Sequence, residues 1–125
     1  MKSVPLQTEV DFTLVKQYIL LPIVLDVLER DMQTLGMAPL KMPTIYVRNL
    51  QQVQRQVHED LVRIRKQLRA HGLKVYEEKR TKSGVEVLYV CRGYHHTFSM
   101  LWSLIKAEIE RYLSEYMNVD LDMEM

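Results

Sequence analysis

Cys91 is the only cysteine in the chain, so neither an internal disulfide framework nor a Cys-based zinc site can be built. Proline and glycine are scarce at four each, which excludes collagen-like and Pro/Gly-rich low-complexity classes. The longest uncharged apolar run, Tyr18 to Leu25, falls far short of the roughly 20 residues that span a bilayer, so no membrane partner is expected. Residues 1–10 carry one lysine and no apolar segment, and no export signal is read there. A lone thiol without such a signal points to a reducing, cytoplasmic setting. Gly36, Gly72, Gly84 and Gly93 stand apart, so there is no glycine-rich phosphate loop, and no serine sits in a nucleophile elbow.

What is present is ordinary for a folded chain. With 125 residues, 47% apolar and 26% charged, the sequence suits one globular domain spanning 1–125. Residues 1–10 read as a loose lead-in and 118–125 as a frayed acidic tail. From Asp11 to Leu35, apolar residues at Phe12, Val15, Ile19, Ile23, Val27, Leu28 and Met32 recur at helical spacing. Pro22 either kinks this helix or opens its second half, and Gly36 is a stop signal. Met37 to Pro43 reads as a linker. A second helix follows from about Thr44 to Ala70, and Val57, Leu61, Ile64 and Leu68 give it a heptad-like seam.

Leu73 to Arg80 and Val85 to Arg92 then read as an antiparallel hairpin around Thr81-Lys82-Ser83-Gly84, with Gly84 in a left-handed turn position. A third helix is expected from about His95 to Met117, with a stripe of Phe98, Leu101, Trp102, Ile105, Ile109, Tyr112, Leu113 and Tyr116. The fold class is therefore α+β, in the order α-α-β-β-α, with three long helices packed on one β-hairpin. A second helix of about 40 Å would outrun a domain about 36 Å across. A symmetric homodimer is therefore expected, with Leu61, Ile64, Leu68, Trp102, Ile105 and Tyr112 as dimer or core anchors.

Charge is uneven. Arg48 to Arg92 holds eleven basic and five acidic side chains, whereas residues 93–125 hold two and six. One reading is a small non-enzymatic interaction or regulatory module that presents helix two and the basic hairpin to a protein partner. The alternative is a nucleic-acid-binding regulator that sets Arg63, Arg65, Arg69, Lys79, Arg80 and Lys82 on phosphates. Over Arg63 to Tyr116 the order of elements looks like the wing region of winged-helix regulators. Helix two lacks the break of a helix-turn-helix, so no recognition helix can be placed.

No constellation points to catalysis, a metal or a cofactor. His58, His71, His95 and His96 lack the i, i+4 spacing of a helical metal site, and His95 and His96 read as surface or capping residues at the start of helix three. Cys91 reads as a small buried hydrophobe, and Asp26, Glu29 and Asp31 as a solvated helix edge. Methionines in the linker and tail, among them Met37 and Met42, could soften a partner-binding surface. The stretch Tyr18 to Asp31 (YILLPIVLDVLERD), followed by a long helix and hairpin, resembles short uncharacterised proteins of Gram-positive spore-forming bacteria. That resemblance implies a bacterial cytoplasmic protein and carries no activity and no site residues.

Overall fold

The computed structural model describes residues 7–123. Its elements run α1 (Glu9–Met37), α2 (Pro43–Ala70), β1 (Leu73–Arg80), β2 (Gly84–Cys91), β3 (Tyr94–Leu101) and α3 (Trp102–Met117). The class is α+β as expected, with three strands where a two-stranded hairpin was read.

The opening of α1 is fixed by a capping box. The Thr8 hydroxyl accepts from the Asp11 amide at 3.1 Å, and the Asp11 carboxylate accepts from the Thr8 amide at 3.0 Å. The end of the expected lead-in is therefore ordered, and its first six residues lie outside the described ones. Pro22 sits inside one continuous helix of 29 residues and does not begin a second. Gly36 likewise lies within the helix, which closes at Ala38.

Pro43 opens α2 at its first turn, where its missing amide donor costs nothing. Val53, Val57, Leu61, Ile64 and Leu68 are buried from this helix, facing Leu14, Leu21, Val24 and Leu28 in the shared core. The heptad-like seam is therefore used within the chain. Two helices of similar length, 29 and 28 residues, cover each other, and the length of α2 alone no longer calls for a second subunit.

The sheet is a meander in the order β1-β2-β3, all antiparallel. Alternation places Val85, Val87, Tyr89 and Cys91 of β2 on the face toward the helices, while Glu86, Leu88 and Val90 look away. Tyr89 is opposite Val75 of β1 and His96 of β3. Its ring stacks on His96 at 5.4 Å and meets Phe98 edge-on at 6.0 Å, and Phe98 in turn meets Phe12 of α1 at 5.3 Å.

β3 corrects the third helix. Tyr94 to Leu101 is extended, and the helix begins at Trp102. His95 and His96 lie on the outer and inner faces of a strand, not at a helix start, and Phe98 and Leu101 belong to the sheet. The expectation failed because Phe98, Leu101, Trp102 and Ile105 happen to fall three, one and three apart, which imitates a helical stripe across a strand–helix junction. Gly84 also differs from expectation. Among the described residues the left-handed glycines are Gly72 and Gly93, and Gly84 is not one of them. It is needed because a Cβ there would stand 1.9 Å from the Met100 carbonyl oxygen.

Candidate functional site

The six cations proposed for phosphate contacts come from α2, from β1 and from the loop beyond it. Arg63 pairs with Asp60 at 3.2 Å beside a cavity of about 320 Å³ between the helices. Arg65 and Arg69, one turn apart on α2, line a shallow depression with Tyr18 and Lys74. Lys79 and Arg80 lie at the far end of β1, with Lys82 in the loop beyond it. Arg80 is 3.9 Å from Glu78. Of the anchor residues, Leu61, Ile64, Leu68 and Ile105 are buried within the chain, and Trp102 and Tyr112 are half-buried.

The polar cavity is built from Gln17 of α1, Gln56, Asp60 and Arg63 of α2, and Tyr112, Glu115 and Tyr116 of α3. The Tyr116 hydroxyl donates to Asp60 at 2.5 Å, so that carboxylate is engaged from two sides. Burial, together with this bond, pushes the Tyr116 phenol well above its usual range. The Asp60 carboxylate is thus held by Tyr116 and Arg63, and Glu115 brings a second carboxylate to the same space.

A second polar cluster ties three elements together. Asp11 is 1% exposed and receives Arg92 through two nitrogens, Nη2 at 2.7 Å and Nη1 at 3.4 Å. His71 Nδ1 lies 3.4 Å away and Cys91 Sγ 3.8 Å away. Hydrogen bonding from Arg92 holds the Asp11 carboxyl well below the usual carboxylate range despite its burial. Burial pushes the Cys91 thiol up, which makes it a poor nucleophile, and the expected reading of a small buried hydrophobe fits. Arg92 also donates to the His71 carbonyl at 3.0 Å, closing the C-terminal end of α2. Asp11 was read only as the start of a helix. Its role was hidden because its partner lies 81 positions away.

Another surface is apolar. Between α1 and α3 runs a groove of about 400 Å³ walled by Ile23, Val27, Trp102, Ile105, Ile109 and Leu113, with Lys106 and Glu110 on its rim. Trp102 is fixed at one end by its indole N–H, which donates to the Thr81 carbonyl at 2.8 Å, and by its amide, which donates to Ser83 at 3.1 Å. The family model described as YhjD protein matches residues 6–121, from the start of α1 through α3. The chain belongs to the YhjD family. No curated protein and no solved structure matches it.

In this YhjD-family chain, no group of three or more His, Cys, Asp or Glu residues that could hold a metal occurs among the described residues. No helix among them is long and apolar enough to cross a membrane. The groove was legible only in part. Trp102, Ile105, Ile109 and Leu113 belong to the stripe expected of helix three, but Ile23 and Val27 join them only once α1 and α3 pack side by side.

Proposed function

We propose that this YhjD-family protein is a homodimeric interaction module of the cytoplasm, joined through the α1–α3 groove. The observation that carries the reading is the pattern on α3. Trp102, Lys106, Ile109 and Leu113 recur every three or four residues along one face, with Glu110 beside them. A second α3 laid antiparallel across a two-fold axis brings Lys106 opposite the partner's Glu110, and Glu110 opposite the partner's Lys106. The same axis sets Trp102 over the partner's Leu113, so apolar meets apolar and each charge meets its opposite. The patch is self-complementary, as a closed dimer requires. A lone buried thiol, stable in reducing surroundings, is consistent with a cytoplasmic site of action. Such a pair would carry two copies of α2 outward to a protein partner.

Light scattering at micromolar concentration tests the dimer, and a mass of one chain overturns it. Lys106→Glu alone sets like charges against each other and shifts the protein toward monomer. Adding Glu110→Lys restores opposite charges and with them the dimer. Both side chains are on the rim, so neither change threatens the fold.

A further inference from the structure

The turn joining α1 to α2 places large apolar side chains in solvent. Met37, Leu40, Met42, Ile45 and Tyr46 fall within ten positions, and all five are exposed, Met37 to 83% and Ile45 to 63%. The helices on either side explain why nothing among the described residues covers them. The last buried residue of α1 is Met32, and α2 reaches the core through half-buried Val47 and Leu50 before its first buried residue, Val53, so the turn from Met37 to Tyr46 extends past the shared core. An apolar cluster that a fold leaves outside its core marks a contact surface. The charge along this stretch has one sign. From Met32 to His58 there is no acidic residue, while Lys41, Arg48 and Arg55 lie in that stretch. The nearest acids on α1, Glu29 and Asp31, sit a turn or more back from Met37, and Glu29 accepts from Gln54 at 3.1 Å.

We infer that this tip inserts into the interface of an anionic lipid surface, a peripheral contact distinct from the spanning segment that the sequence excludes. Size argues against a protein partner here. The end of a helical hairpin is convex, and five partly exposed side chains supply a few hundred Å², against the roughly 800 Å² per partner of a stable protein interface. Insertion into a bilayer interface needs no such area. It grows with whatever apolar surface enters and adds the attraction of nearby cations for anionic headgroups. Met, Leu and Ile would enter the acyl boundary, and Tyr46, with an apolar ring and a polar tip, suits the headgroup level. Lys41 in the turn and Arg48 one turn into α2 stand where headgroup phosphates would be.

Sedimentation with vesicles of mixed phosphatidylglycerol and phosphatidylcholine tests this on the full chain. The wild-type protein should pellet with these vesicles at about 50 mM salt and should be released as salt rises. The paired change Met42→Glu and Ile45→Glu should weaken partition more than tenfold. Lys41→Ala should weaken it about fivefold, the loss of one cation near an anionic surface. All three side chains are exposed, so melting curves should match wild type. Absence of pelleting, or tip variants that bind as wild type does, would overturn the inference. Equal partition onto pure phosphatidylcholine would overturn the role assigned to the cations. None of these outcomes depends on whether the α1–α3 groove pairs two copies, because the mass measurement reads that separately.

Discussion

The two turns of the sheet are built by opposite means. Between β1 and β2, Thr81 holds its own loop. Its hydroxyl accepts from the Ser83 amide at 3.2 Å and the Gly84 amide at 3.1 Å, and its amide donates to the Gly84 carbonyl at 2.8 Å. Between β2 and β3, the chain reverses in two residues, both left-handed: Arg92 with φ of 48° and Gly93 with φ of 89°. Positive φ at both central positions is the pattern of a type I′ turn, which favours Asn-Gly. Arginine is costly there. What holds it is remote, since its guanidinium grips Asp11 and its amide donates to the Gly72 carbonyl at 2.8 Å. One turn is encoded where it stands and the other is imposed by the rest of the fold.

This contrast can be broken in steps. The largest effect is expected at Asp11→Ala, which removes the acceptor of a buried pair and half of a capping box. Chemical denaturation should show a loss of about 3 to 4 kcal/mol. Gly84→Ala comes next. Its Cβ would collide with the backbone of Met100 and Leu101, and a loss of about 3 kcal/mol is expected from the forced shift. Gly93→Ala should cost about 1 to 2 kcal/mol, because its left-handed φ penalises a Cβ although space is open around it. Thr81→Val should cost least, about 1 kcal/mol, for the hydrogen bonds of one hydroxyl. Arg92→Asn sharpens the comparison. It gives up the bond to Asp11 but suits the turn, so it should destabilise less than Asp11→Ala. A loss equal to that of Asp11→Ala would show that the carboxylate left without its cation outweighs the relief of the turn.

Acid should distinguish the turns as well. The Asp11 carboxyl is depressed in the folded state, so the unfolded chain binds its proton more readily at low pH. The stabilisation is complete above the ordinary value of 3.8 and is lost as pH falls toward the folded one. Denaturation midpoints of the wild type should therefore drop between pH 5 and pH 2 more steeply than those of Asp11→Asn. Parallel profiles would exclude Asp11 as the acid-sensitive group.

The same division runs through what the sequence made legible. The α1–α2 pair, β1 and β2 could be read because periodicity is local: Val57, Leu61, Ile64 and Leu68 show their seam without reference to anything else. β3 could have been found. Tyr94, His96, Phe98 and Met100 alternate with His95, Thr97 and Ser99, a period of two in eight uncharged or aromatic-rich positions. Its reversal lacked the glycine-second asparagine signal, and the helical phase of Phe98 to Ile105 outweighed the alternation. On the candidate site, α3 contributed a readable stripe, but the wall from Ile23 and Val27 follows from packing. The exposed tip was half visible, since methionines at 37 and 42 stood out while the exposure of Ile45 and Tyr46 did not.

The Asp11–Arg92 pair also sets an order of events during synthesis. When α1 leaves the ribosome, its first turn has a cap but no counter-ion, because that cation lies 81 residues further along. The carboxylate cannot be enclosed until β2 has been made and has reversed into β3. Closure of the N-terminal end of the first helix is therefore a late step, one that waits on a residue 81 positions beyond it.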